Sequence, residues 1–408
     1  MRDVALPEVP YSVTAVRPDW ADLPTAVRAA ISARLGAPVA AATSAGGGFT
    51  RAFAAVLTTD AGERAFVKAA PLQDPTAEWY AREYAVTGAL PAGVRAARPR
   101  WAMAEAGYFV LCLDAIDGRV PALPWSPADL NAALDAWSSA ASALAKPPAD
   151  LLAAGTSAQS QQPAQLQQPT QPQPALPPQP AQGPTSAQRA TSAQPPQPAQ
   201  RPQPTQPQPA PPPQPTQPSQ RPTQPADPER AALPALPALP ALPALPQIVR
   251  DHLSWWSEIA AGREPMPAFV PDWVPTRLDD LAALEQALPG LVGGTGMLHG
   301  DLRIDNVLID PAGQAWLCDW TWPCLGAPWF DTVTLLVSAY AGGMDTDRLL
   351  EPWSAPPAGV DGVLAAMAGY WLVQASAPPS SASPHSRQHH RFSGTQALAW
   401  LADRRGWT

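Results

Sequence analysis

Short runs rich in Val, Ala, Phe and Thr, punctuated by Gly and Asp, dominate the first quarter of the chain. They predict strands over 39–45, 51–59 and 64–69, with turns at Gly46-Gly47-Gly48-Phe49-Thr50 and Asp60-Ala61-Gly62. The period then changes. Over 75–90, Trp79, Tyr80, Tyr84, Val86 and Leu90 recur at helical spacing among polar residues. Residues 101–105 and 108–113 read as two more strands, and Asp114-Ala115-Ile116-Asp117-Gly118 breaks the pattern. Two further helices are expected. One spans 127–145, with Leu130, Leu134, Trp137 and Ala141 on one face. The other spans 247–261, with Ile248, Leu253, Trp256 and Ile259. Two short apolar runs, 307–310 and 315–318, flank Pro311-Ala312-Gly313 and predict a hairpin. An apolar helix opens around Asp331, a residue suited to an N-terminal cap. Residues 377–390 read as a loose loop.

Between the two helices the composition changes. From 155 to 246 the chain is Gln, Pro, Ala, Ser and Thr, and much of the total of 56 Pro lies there. Such a segment cannot bury enough apolar surface to offset chain entropy, so disorder is expected. It ends in an Ala-Leu-Pro tandem over 232–246. In a polyproline II helix the leucines would form one stripe, which could dock in a partner groove. Repeat expansion without function is the simpler account. Lengthening a flexible loop costs only about 0.6 kcal/mol per doubling. The stretch therefore reads as an insert within one lobe rather than a linker between domains.

The candidate chemistry is concentrated in Leu298-His299-Gly300-Asp301-Leu302-Arg303-Ile304-Asp305-Asn306, followed by Leu317-Cys318-Asp319-Trp320. Phosphoryl transfer from a nucleotide needs a carboxylate beside the attacking hydroxyl and further oxygen ligands for Mg²⁺. Asp301 is the candidate base, and Asn306 and Asp319 are the candidate metal ligands. The hairpin over 307–318 would bring Asn306 and Asp319 to one end. Upstream, Lys68 closes the third strand. It is one of two lysines in the chain, the other being Lys146. A compact ammonium suits phosphate oxygens. Glycines allow close approach of backbone N–H groups to phosphate, so Gly46, Gly47 and Gly48 could cover a nucleotide. Glu78 and Glu83 are both available on the following helix to orient the lysine.

The string H-G-D-x-x-x-D-N with its later Asp-Trp resembles the catalytic loop of the aminoglycoside phosphotransferase and choline kinase-like family, across roughly 40–151 and 247–407. The resemblance implies an α+β, bilobal protein kinase-like fold. Its N-lobe is small and β-rich, its C-lobe is larger and mostly helical, and the long disordered Pro/Gln/Ala-rich insert interrupts it. It divides the chain into an N-lobe (1–113), a hinge (114–118), a first part of the C-lobe (119–154), the insert (155–246) and the rest of the C-lobe (247–408). It implies transfer of the γ-phosphate of ATP or GTP, with Mg²⁺, to a hydroxyl of a small molecule such as an aminoglycoside-like or amino-alcohol acceptor. Lys68 would contact phosphates, Glu83 better matches its helical partner, and Leu113 would lie near the base. His299 would be a packed residue that fixes the loop, and Asp331 would brace it. Gly300 in place of Arg, and the absence of Phe-Gly after Asp319 and of a later Ala-Pro-Glu, argue against a protein kinase. A non-catalytic pseudokinase, using the insert as an interaction arm for a protein partner, is the alternative.

Composition adds exclusions. A net charge of −8 without a basic stripe argues against nucleic acid. No apolar run is long enough for a membrane span, and residues 1–10 lack a signal-peptide pattern. Cys112, Cys318 and Cys324 show no metal spacing and suit a reducing cytoplasm. Trp255, Trp256, Trp273, Asp272, Asp279 and Asp280 are weaker candidates for an acceptor pocket.

Overall fold

The computed structural model describes residues 4–153, 241–378 and 382–407. The disorder expected over 155–240 and the leucine stripe over 232–240 lie outside the described residues.

The N-terminal lobe is a five-stranded antiparallel sheet between two helices. In chain order it comprises α1 (Thr25–Leu35), β1 (Val39–Ser44), β2 (Phe53–Thr59), β3 (Arg64–Pro71), α2 (Pro75–Ala89), β4 (Pro99–Glu105) and β5 (Tyr108–Asp114). The strand order is β1-β2-β3-β5-β4. Strand residues alternate between two apolar layers. Ala65, Val67 and Ala69 of β3 pack with Val27 and Ile31 of α1, whereas Phe66 and Ala70 pack with Ala77 and Tyr80 of α2. Lys68 therefore sits on the α2 side. Helix α2 starts where the sequence supplies a cap. Asp74 accepts the Thr76 N–H at 2.8 Å, and Pro75 occupies the first turn.

The C-terminal lobe contains α3 (Pro127–Ala143), α4 (Ala149–Ala153), α5 (Leu245–His252), α6 (Trp255–Ala260), α7 (Leu278–Ala287), β6 (Gly296–Leu298), β7 (Val307–Ile309), β8 (Ala315–Leu317), β9 (Cys324–Gly326), α8 (Trp329–Ala341), α9 (Thr346–Leu350), α10 (Pro357–Ser376) and α11 (His385–Arg405). Every residue of α8 is buried, and α10 packs lengthwise on α11 with its other faces toward α6, α7 and α8. These helices carry the main apolar core. The hairpin β7–β8 pairs Val307 with Leu317. Arg119, just after the expected hinge, exchanges both backbone hydrogen bonds with Ile309 and so ties the lobe connection to that hairpin.

Four expectations change. The helix expected from Gln247 begins at Leu245 and breaks at Leu253 into α5 and α6. Residues 243–245, expected to be disordered, are held: Pro243 accepts the Leu325 N–H at 2.8 Å, and Leu245 is buried. The loose loop expected over 377–390 ends early, because His385–His390 are the first turns of α11. Finally, Asp331 is not the cap of α8; the N-cap is Pro328, and the Asp331 carboxylate reaches the backbone of His299 and Gly300 instead.

Candidate active site

Lys68 and Glu83 face each other because β3 alternation and the helical period of α2 both turn them inward. Lys68 Nζ lies 2.8 and 2.6 Å from the two carboxylate oxygens of Glu83, and both side chains are buried. Glu78 is exposed on the same helix, so Glu83 is the partner. Lys68 also lies 3.6 Å from Asp319 and 5.3 Å from the centre of the Tyr80 ring. Burial works to lower the Lys68 pKa, but Asp319, Glu83 and Tyr80 outweigh it, and the ammonium is held above its ordinary value.

The segment 299–306 is held from three sides. The Asp331 carboxylate accepts the His299 N–H at 2.7 Å and the Gly300 N–H at 3.1 Å. The His299 ring bonds the Cys318 carbonyl through Nε2 at 2.9 Å and faces the Asp301 N–H through Nδ1. Burial lowers the His299 pKa to about 4, so the ring is a neutral pin rather than a base. Gly300 has φ +78°, and a Cβ there would lie 1.9 Å from the Trp322 carbonyl oxygen. No L side chain fits that position, which accounts for glycine where protein kinases carry arginine.

Asp301 is engaged at both oxygens. Arg303 Nη1 donates to Oδ1 at 2.5 Å, and Asn306 Nδ2 lies 3.4 Å from Oδ2. Arg303 is itself forked onto Asp305 by two bonds of 3.1 Å. Burial raises the Asp301 carboxyl to about 7; Arg303 opposes the rise, while Asp305 and Asp319 add to it. Asn306 spends its amide N–H on the Asp301 carbonyl at 2.8 Å, which leaves its own carbonyl oxygen as an acceptor group. Asp319 has φ +61°, a left-handed conformation uncommon for a residue with a side chain. Desolvation pushes its carboxyl up, but Lys68 and the Thr321 hydroxyl, 2.6 Å away, pull it below the ordinary value.

One cleft collects Lys68, Asp301, Asn306, Asp319 and Gly48. Gly46, Gly47 and Leu113 do not line it. Leu113 is buried between the sheet and α2. Gly46 is needed for a different contact, since a Cβ there would lie 2.2 Å from the Ser12 carbonyl oxygen. The donor set of Asn306 and Asp319 is all oxygen, which fits Mg²⁺ completed by phosphate oxygens and water. Among the described residues no group of three or more His, Cys, Asp or Glu could hold a metal without such a partner.

Four cleft residues are not among the site residues expected from the sequence: Arg17, Arg303, Trp79 and Trp322. Only Arg303 had a signal, its place inside the motif. Trp79 and Trp322 meet edge to face at 5.6 Å, with Arg82 over Trp322. The tryptophans favoured by position are elsewhere. Trp256 is fully buried and donates to the Ala365 carbonyl, Trp255 caps the His252 carbonyl, and Trp273 packs on Trp407. Asp272, Asp279 and Asp280 are exposed and outside the cleft.

No protein-family model matches the sequence, and no curated protein matches it. Solved structures do. A thermostable mutant of aminoglycoside phosphotransferase APH(4)-Ia in ternary complex with AMP-PNP and hygromycin B aligns with TM-score 0.51 and 13% identity, over 94% of this chain and 100% of that chain. Another thermostable mutant of that enzyme, with ADP and hygromycin B, aligns with TM-score 0.50 and 13% identity, over 92% and 97%. Choline kinase LicA from Streptococcus pneumoniae aligns with TM-score 0.44 and 12% identity, over 92% and 98%. The likeness is one of architecture: this chain has the bilobal fold, β-rich N-lobe and helical C-lobe, of aminoglycoside phosphotransferase APH(4)-Ia.

Proposed function

We propose that the protein transfers the terminal phosphate of ATP or GTP to a hydroxyl of a small molecule. The observation that carries this reading is the convergence of the Lys68–Glu83 pair with Asp301, Asn306 and Asp319 in one cleft. Lys68, kept cationic by Glu83, places a point charge against phosphate oxygens. Asp301 orients the acceptor hydroxyl and takes its proton as the acceptor oxygen bonds to phosphorus and the bond to the β–γ bridging oxygen breaks. Arg303 opposes the rise that burial gives the Asp301 carboxyl. Asn306 and Asp319 would hold Mg²⁺, which neutralises phosphate charge. Trp79 and Trp322 would flank the approach of the acceptor, and aminoglycosides and amino alcohols head the acceptor screen. The assignment of 1–113 to the nucleotide side, 114–118 to a hinge, and 119–154 with 247–408 to the catalytic and acceptor side belongs to the same reading.

Among the described residues no helix is long and apolar enough to cross a membrane. A cytoplasmic site of action is part of the proposal. A pseudokinase that uses the insert as an interaction arm is the competing reading, and it requires that nucleotide and metal have no effect. Thermal stability with ATP or GTP, with and without Mg²⁺, separates the two. A ligand at 100 times its Kd adds about 2.7 kcal/mol. The expected result is a Mg²⁺-dependent shift that Asp319→Asn abolishes. No shift with either nucleotide at millimolar concentration would rule the kinase reading out.

A further inference from the structure

We propose that Arg17, from the segment preceding the sheet, binds the terminal phosphate of the nucleotide, a role that rests on the phosphotransferase reading above. The Gly-rich turn is the place where backbone N–H groups would be expected to meet phosphate, yet here it is already engaged. Gly48 N–H donates to the Thr14 hydroxyl at 3.1 Å. The Gly46 carbonyl accepts the Ala15 N–H at 2.8 Å. Gly46 and Gly47 lie against the Ser12 and Tyr11 carbonyls, where even a Cβ would be 2.2 and 3.0 Å away. The segment 11–17 thus covers the turn from outside and uses its polar groups.

What reaches the cleft from that side is the Arg17 guanidinium. It lines the same cleft as Lys68, Asp301 and Asp319. Its bonds all go to neutral acceptors: Nη1 to the Thr50 hydroxyl at 3.1 Å and the Ala52 carbonyl at 3.0 Å, and Nη2 to the Gly47 carbonyl at 2.9 Å. Among the described residues no carboxylate forms an ion pair with it, in contrast to Lys68 and Arg303, whose charges are matched by Glu83, Asp301 and Asp305. Its Nε is buried without a partner. One N–H on Nη2 is also unspent. Nε–H and Nη2–H form an edge of the guanidinium fork, the geometry that receives two oxygens of one phosphate. A donor buried without an acceptor costs free energy, so an arriving oxygen relieves a cost already present. Arg17 lines the cleft with both Lys68 and Asp301; in this proposal Lys68 takes the leaving diphosphate and Arg17 the phosphate being transferred.

Arg17 also braces the turn, so the test must separate bracing from contact. Affinities of Mg-AMP-PNP and Mg-ADP are measured by calorimetry for wild type, Arg17→Ala and Arg17→Lys. Loss of a charge-assisted fork should weaken AMP-PNP about 10- to 100-fold. ADP should weaken no more than about threefold, because it lacks the phosphate that Arg17 meets. Arg17→Lys retains the charge without the fork and should fall between, and it keeps the comparison available if the alanine variant does not fold. Equal losses for both nucleotides would make Arg17 a brace and overturn the proposal, as would no loss. Wild type that binds neither nucleotide would overturn the phosphotransferase reading and this inference together.

Discussion

Two charge pairs stand at the cleft, and they are built in opposite ways. Lys68 and Glu83 stand 15 residues apart and meet because a strand and a helix, each fixed by its own core, present them to one another. Asp301 and Arg303 stand 2 residues apart on a loop whose shape is imposed by Asp331, His299 and the Trp322 carbonyl. The first pair is set by two packed elements, and burial raises the Glu83 carboxyl to about 7 against the pull of Lys68. In the second, burial and a neighbouring guanidinium oppose each other and leave a carboxyl near neutrality. One pair is fixed by the packing of a strand on a helix, and the other by a loop that its neighbours hold.

The largest effect should come from breaking the first pair. Lys68→Met leaves Glu83 buried without a partner and should cost about 3–5 kcal/mol in urea unfolding. Lys68→Met with Glu83→Leu should recover most of that stability and none of the nucleotide binding. The single variant should also become less stable as pH rises. Burial already raises the Glu83 pKa to about 7 in the folded state against the pull of Lys68; without the ammonium it rises further, so the folded protein binds the extra proton and loses stability above the unfolded value. Stability of Lys68→Met that does not change with pH would show that Glu83 finds another partner.

The loop pair is attacked through its scaffold. Gly300→Ala forces a side chain into a left-handed position already filled by the Trp322 carbonyl. It should destabilise by about 1–3 kcal/mol and displace Asp301. Circular dichroism melts give the first effect and turnover gives the second. An active variant of unchanged stability would refute the account of glycine at this position.

The smallest effect is read from the pH profile of the loop pair. With Asp301 near 7, kcat/KM should fall about tenfold per pH unit below that value, because only the carboxylate accepts the proton. Arg303→Gln removes the charge that opposes burial, so the acidic limb should move to higher pH. A limb that stays in place would mean that Arg303 holds the loop without tuning the base.

Much of this site was legible from local pattern. Its place at the end of an expected strand and the scarcity of lysine singled out Lys68, and motif spacing singled out Asp301, Asn306 and Asp319 as candidates. Such features depend on neighbours within a few residues, and the geometry of strands and hairpins carries them directly into space. The choice of Glu83 over Glu78 was less accessible. Both are on α2, and only the direction of the helix against the sheet buries one and exposes the other. The tryptophans show the limit more sharply. Indole at helical spacing reads the same whether it fills a core, as Trp256 does, or borders a cleft, as Trp79 and Trp322 do.

The chain by itself therefore determined the strand–helix order, the catalytic string and the chemistry of its side chains, since periodicity and residue type suffice for these. Only the tertiary structure decided which surfaces meet. The covering of Gly46 and Gly47 by residues 11–14 and the arrival of Arg17 in the cleft join segments distant in sequence. Such contacts follow from how two lobes and an N-terminal segment bury their apolar faces together, and no local pattern encodes them.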